Sequence, residues 1–242
     1  MQRLFYTVYL WFIAAPIFII LTLLTSLVTI GGCMLGGEKF FSYYPGKIWS
    51  QLTCYLLLCP VKVKGLEHFH RKQSYIVIAN HQGAFDIFLI YGFLGLPIKW
   101  MMKAGLGKIP FVGAACRAAG FIFVDNSTPK SAAKSVLEAE RAIKKGGSLV
   151  IFPEGSRTPT GKMERFKKGA FQIAIDLQLP ILPVTLNGPY DILPIHSRKL
   201  RPHRMEMIIH PPLSTDRMHK DLQSLADEAR TLIASGLWEK YR

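Results

Sequence analysis

Two textures divide the chain. From Leu4 to Gly37 there is no charged residue, and a second apolar stretch runs from Ile48 to Cys59. A helix over the first run would be about 50 Å long at about 1.5 Å per residue, against about 30 Å of bilayer hydrocarbon. It is too long for one straight span, and Pro16 and the pairs Gly31-Gly32 and Gly36-Gly37 interrupt it. A secretory signal fits poorly, because the run is too long and no small-x-small cleavage site stands out. Arg3 with Phe5, Tyr6, Tyr9 and Trp11 resembles an interfacial anchor. The second stretch covers only about 18 Å as a helix, too short to cross. Two arrangements fit: a single span followed by an interfacial helix, or a helix pair that dips into one leaflet and returns. Basic residues stand on every side (Arg3, Lys39, Lys47, Lys62, Lys64), so their distribution chooses no orientation.

After Pro60, short apolar runs alternate with longer amphipathic ones. The pattern predicts strands over 61–64, 74–79, 98–102, 121–124, 148–152, 181–185 and 205–210, the last as an edge strand. It predicts helices over 85–93, 129–145, 168–177 and 221–241. Thr128 stands as a cap for the 129–145 helix and Gly146-Gly147 lies past its end. Strand-helix alternation implies an α/β fold: a mostly parallel central sheet flanked by helices, with an N-terminal apolar helical membrane anchor. Residues 1–60 are then anchoring helices and 61–242 one α/β domain.

Charge narrows the class of partner. The 242 residues hold 30 Lys+Arg against 16 Asp+Glu, a formal +14, and half of them are apolar. The mean hydropathy of +0.22 is high for a wholly soluble protein. Such a balance favours anionic partners: nucleic acid, an acidic membrane surface or a phosphorylated substrate. Nucleic acid fits least, because no basic run interleaved with aromatics appears and the N-terminus is apolar. Cys33, Cys54, Cys59 and Cys116 show no metal-ligand spacing; a reduced compartment or burial accounts for them better than a disulfide framework.

The stretch IVIANHQGAFDIFLI, residues 76–90, carries the first candidate chemistry. His81 falls where a buried strand ends, and ligands of parallel α/β sheets bind beyond those carboxyl ends. Asp86 opens the following helix, and the turn can fold its carboxylate back to the imidazole, fixing the tautomer. The competing structural reading has Asp86 capping its helix and His81 satisfying backbone groups. Asn80 and backbone amides near residue 83 are candidate oxyanion donors. A second stretch, VIFPEGSRTPTGK (150–162), brings Glu154, Gly155, Ser156 and Arg157 to the same sheet edge. Gly155 permits an unusual backbone, Ser156 offers a hydroxyl, and Arg157 offers a planar fork for phosphate oxygens. It is no P-loop: the gap from Gly155 to Gly161-Lys162 is one residue too long, and Met163 replaces Ser or Thr. Lys167 and Lys168 stand at a helix start, against the dipole, which makes sense if they meet an anion.

These residues resemble the lysophospholipid acyltransferase family in four ordered blocks. NHQGAFD matches the histidine, four residues, aspartate motif, followed by GFIFVDN, FPEGSRT and LPILPVTLNG; KIPFVG (108–113) and FKKGAF (166–171) are also similar. The likeness covers roughly residues 60–190. It implies a membrane enzyme that moves a fatty acyl group from acyl-CoA or acyl-acyl carrier protein to the sn-2 hydroxyl of lysophosphatidic acid, giving phosphatidic acid. His81 would be the general base and Asp86 its orienting partner. Glu154, Gly155, Ser156, Arg157, Lys167 and Lys168 would hold substrate. No metal or other cofactor is required, membrane lipids are the further partners, and the catalytic domain lies on the cytoplasmic side. Asn126 stands where the family has a basic residue after the second-block aspartate, which leaves open glycerol-3-phosphate, another lysophospholipid or an amino lipid as acceptor. A non-catalytic lipid-binding scaffold is the alternative of a different class. Oligomeric state is not fixed by the sequence.

Overall fold

The computed structural model describes residues 2–124, 137–141, 143, 146–197, 199–215 and 221–242. Asn126, the Thr128 cap and most of the predicted 129–145 helix lie outside the described residues; residues 137–141 are helical.

The apolar N-terminus is helical from Leu4 to Met34. It comprises α1 (Gln2–Tyr9), a π-helical segment (Leu10–Ala14) and α2 (Ala15–Met34). Pro16 does not break it, because it falls in the first turn of α2, where the wider π turn tolerates the missing N–H donor. Gly32 does not break it either; it admits the ring of Phe41, whose Cγ would lie 2.1 Å from an added Cβ. Two further helices follow, α3 (Glu38–Phe41) and α4 (Tyr44–Leu56). The long helix is fastened along its length. Tyr6 and Tyr9 hydroxyls donate to the carbonyls of Leu57 and Leu56 at 3.0 and 2.7 Å. The Trp49 indole donates to Thr22 Oγ1 at 2.9 Å. Its outer face leaves Phe5, Trp11, Phe12, Leu24, Leu27 and Met34 exposed.

Among the described residues seven strands form one sheet in the order β1-β7-β6-β2-β5-β3-β4. They are β1 (Val61–Lys64), β2 (Ile76–Ala79), β3 (Ile98–Lys103), β4 (Ile122–Val124), β5 (Ser148–Ile151), β6 (Ile181–Asn187) and β7 (Met205–Ile209). Every pairing is parallel except β6 with β7. The 205–210 segment is therefore not an edge strand as its pattern suggested. β1 pairs beyond it, and β1 carries the edge signature: Lys62 and Lys64 alternate outward, which blunts further pairing.

Alternation along β2 splits the core into two layers. Val77 and Ala79 pack with Leu89, Ile90 and the helix α5 (Phe85–Phe93), with Cys54 of α4 behind. Ile76 and Ile78 pack on the opposite face with Phe171 of α7 (Gly169–Asp176) and Ile233 of the C-terminal helix. That last helix ends earlier than its apolar pattern implies, at Gly236, and a 3-10 turn Glu239–Tyr241 follows. The remaining helices are α6 (Val112–Ala118), the short α8 (Pro189–Ile192) after β6, and the C-terminal α9 (Leu222–Gly236), capped by Asp221 Oδ1 on Ser224 N–H at 2.8 Å.

Candidate active site

The carboxyl ends of β2 and β5 converge at one edge, and each delivers a loop. The β2 loop is short. Asn80 closes it against the neighbouring strand: its amide donates to Leu186 O at 2.9 Å and its oxygen accepts from Leu186 N–H at 2.8 Å. Both hydrogen-bonding groups of this buried side chain are thereby committed. The buried side chain replaces ladder bonds where β2 stops, which gives Asn80 a structural task. The Gly83 amide is committed too, donating to Asp86 Oδ2 at 2.9 Å.

That same carboxylate oxygen lies 2.7 Å from His81 Nδ1. Asp86 sits in the first turn of α5, fully buried, where the helix dipole favours its charge. Burial pushes its carboxyl above the usual carboxylate range, and the imidazole and the Gly83 amide pull it back. With an ionised Asp86, Nδ1 must carry the proton, so Nε2 presents a lone pair. The His81 ring keeps 18% of its side chain accessible, and one face is stacked on Phe152 at 3.9 Å and 10°.

The β5 loop holds the backbone of the same histidine. His81 N–H donates to Glu154 Oε1 at 2.7 Å, and Thr158 N–H donates to His81 O at 2.9 Å. The other Glu154 oxygen accepts Glu164 N–H at 2.8 Å, which ties the loop to itself. Glu154 is 5% exposed, and burial pushes its carboxyl up to about 6 against those two amides. Gly155 turns the chain at φ +81°, in the left-handed region, and a Cβ there would press on Lys167 Nζ.

The site residues expected from sequence thus fall into groups. His81, Asp86 and Glu154 are joined by hydrogen bonds. Gly155 and Lys167 lie together beside them, and half-buried Arg157 sits next to Thr158. Ser156 and Lys168 are exposed, and among the described residues no hydrogen bond links either to His81. The Cys116 thiol is pushed up to about 11 by burial and stays protonated near neutrality, which argues against a nucleophilic role. Sequence reasoning missed three contributors. Phe152 supports the imidazole face and continues to Trp100 at 6.1 Å. Thr158 and Glu164 contribute backbone amides, for which side-chain identity gives no signal. Phe152 alone had one: it is the apolar residue immediately before the loop.

Comparison with known proteins agrees with this geometry. The family model described as Acyltransferase matches residues 60–187. A chloroplastic 1-acyl-sn-glycerol-3-phosphate acyltransferase of Brassica napus is 33% identical over 202 residues, covering 83% of this chain and 57% of that protein. The 1-acyl-sn-glycerol-3-phosphate acyltransferase alpha of Mus musculus is 32% identical over 179 residues, covering 73% and 63%. The chain thus matches less than two thirds of the length of these relatives. The crystal structure of the 1-acyl-sn-glycerophosphate (LPA) acyltransferase PlsC from Thermotoga maritima superposes with a TM-score of 0.82 at 27% identity, over 97% of this chain and 94% of that one. The matched segment runs from the start of β1 to the end of β6 and contains His81, Asp86 and Glu154, so this chain belongs to the acyltransferase family.

Proposed function

We propose that this protein acylates the sn-2 hydroxyl of lysophosphatidic acid from acyl-CoA or acyl-acyl carrier protein, giving phosphatidic acid. The single observation that carries the reading is the 2.7 Å contact between His81 Nδ1 and Asp86 Oδ2 at the carboxyl edge, in a chain of this family. The relatives' names supply the acceptor, which they state for those proteins.

The chemistry follows from the tautomer. Asp86 holds the Nδ1 proton, so His81 Nε2 takes the proton of the lipid alcohol as its oxygen attacks the thioester carbonyl carbon. The C–O bond forms, the C–S bond breaks, and the proton on Nε2 passes to the departing thiolate. General-base help of this kind is worth roughly 10²–10⁴ in rate. Arg157 and Lys167 supply positive charge for the acceptor phosphate beside the Glu154 loop.

The long apolar helix supports membrane attachment within one leaflet. Tyr6, Trp49 and Gly32 fasten it to α3 and α4, and Phe18 and Trp49 meet Phe88 of α5, so it lies along these helices with its other face apolar and exposed. These contacts favour a helix that lies in one leaflet over one that crosses the bilayer. Both donors are cytoplasmic thioesters, so the domain faces the cytoplasm. The test is release of free CoA by membranes carrying the protein when given acyl-CoA and lysophosphatidic acid. No acylation above membranes carrying His81→Ala, with acyl-CoA and with acyl-acyl carrier protein alike, would overturn the reading. Asn126 makes a panel of acceptors part of the same assay, with lysophosphatidic acid expected to be fastest.

A further inference from the structure

A cleft of about 780 Å³ lies against the carboxyl end of α9, bordered by Lys162 and Met163 of the loop after β5. This helix packs on the sheet face opposite α5, so the cleft and the N-terminal apolar helices occupy opposite sides of the molecule. Lys162, Arg230 and Arg242 bring three cations to it, and no acidic residue lines it. Arg242 is partly committed: its Nε and Nη2 donate to Leu237 O and Ser235 O at 3.1 Å. Those bonds offset the negative end of the α9 dipole, which would otherwise repel an anion. Among the described residues no ion pair engages the side chain of Lys162 or Arg230. Met163 and Ala234, both partly exposed, add an apolar floor, with Leu237 and Tyr241 buried beneath it.

The cleft is coupled to the catalytic histidine by a short piece of chain. Thr158 N–H donates to His81 O, and Lys162 is four residues on, at most about 14 Å along an extended backbone. The phosphopantetheine arm of a CoA thioester reaches across such a distance. A thioester carbonyl at His81 would then have its acyl chain toward the apolar α4–α5 side and its polar end toward this cleft.

We propose that the cleft seats the nucleotide end of the acyl-CoA donor. Lys162 and Arg230 meet its phosphates, and Met163 and Ala234 floor the adenine. The proposal rests on the acyl-CoA reading given above. Cations around an apolar floor suit a phosphorylated nucleotide, which carries both kinds of surface.

The experiment compares the wild type, Lys162→Ala/Arg230→Ala and, as a matched charge loss elsewhere, exposed Lys72→Ala. Initial rates are measured against acyl-CoA and against acyl-dephospho-CoA. The double variant is expected to raise KM for acyl-CoA about tenfold, the loss of charge-assisted contacts, with kcat and the acceptor KM unchanged. Removing the donor's 3′-phosphate should raise KM for the wild type and Lys72→Ala, and far less for the double variant. Calorimetry of CoA binding, in a His81→Ala background so that no turnover intervenes, should show the same weakening. An unchanged KM and Kd in the double variant, while the wild type turns over acyl-CoA, would overturn the cleft and leave the acyl transfer standing. A wild type that uses acyl-acyl carrier protein but not acyl-CoA would overturn the cleft and the CoA donor together. A wild type inactive with both donors would overturn the transfer reading itself.

Discussion

Glu154 holds His81, the proposed general base, by its backbone: the His81 amide donates to Glu154 Oε1 at 2.7 Å. The imidazole is therefore positioned from two directions, its ring by Asp86 of α5 and its main chain by a carboxylate from the loop after β5. This carboxylate is buried, and its pKa is pushed up to about 6. In the proposed mechanism the base must be unprotonated and Glu154 charged, so both requirements bear on the active form as pH falls. The acid limb of the wild-type pH–rate profile should be steeper than one proton. Glu154→Gln should reduce it to a single-proton slope and lower kcat. An acid limb of the same steepness in the variant would remove Glu154 from the positioning role.

Stability should respond in the opposite direction. The folded pKa of Glu154 is raised from 4.5 to about 6, so the folded state binds this proton more tightly than the unfolded chain. The contribution is fully present below about pH 4.5 and is lost as pH rises through about 6. Its size is about 2 kcal/mol, from 1.36 kcal/mol per unit. Denaturant titrations at pH 5 and 7 should show Glu154→Gln less dependent on pH than the wild type by about 1 kcal/mol, the part of that contribution lost between these two values.

Asp86→Asn tests the tautomer argument. An amide in place of the carboxylate can donate to Nδ1, which would leave the proton on Nε2 and remove the base. A kcat loss of about 10³–10⁴, with the fold retained, is the expected result. His81→Ala should fall at least as far. Near wild-type CoA release by Asp86→Asn, with circular dichroism unchanged, would sink the dyad.

Asn80 offers the contrasting case, since it adjoins the catalytic residue and is assigned a structural task. Asn80→Ala would orphan both backbone groups of Leu186 in the sheet interior. A loss of about 2–4 kcal/mol in stability is expected, with kcat within a few-fold at temperatures where the variant is folded. A hundredfold fall in kcat at unchanged Tm would return Asn80 to the oxyanion role.

Much of this site is legible in the sequence because its determinants are local. The β2 strand, the break at Asn80 and the α5 helix over Phe85–Phe93 follow from an apolar run, a polar turn and a renewed apolar run. His81 and Asp86 are joined across one turn, so their pairing needs no knowledge of the rest of the fold. What depended on distant chain was not legible. β7 reads as an edge strand by itself and becomes interior only because β1, far earlier in the sequence, pairs beyond it. The stacking of Phe152 on His81 and the amide of Thr158 depend on how one loop lies over another. Pro16 misled for a physical reason: its missing donor falls beside a π segment that absorbs it.

The path of the N-terminal helix gives the last test. Leu4 stands at its start, exposed, and Lys39 lies just past its end, also exposed. If the helix crossed the bilayer, these positions would face opposite compartments. If it lies along α3 and α4 within one leaflet, as the contacts of Gly32 with Phe41 and of Tyr6 with Leu57 place it, both face the same one. Leu4→Cys and Lys39→Cys, each in a background with the four native cysteines replaced by serine, are to be treated with a membrane-impermeant maleimide in sealed vesicles of known orientation. Both are expected to react from the cytoplasmic face and neither from the other. Cysteine at Leu24, mid-helix on the exposed apolar face, should resist the reagent from both sides, since lipid covers it. Labelling of positions 4 and 39 from opposite sides would restore the spanning arrangement and require the Tyr6 and Tyr9 hydrogen bonds to the end of α4 to break on membrane insertion.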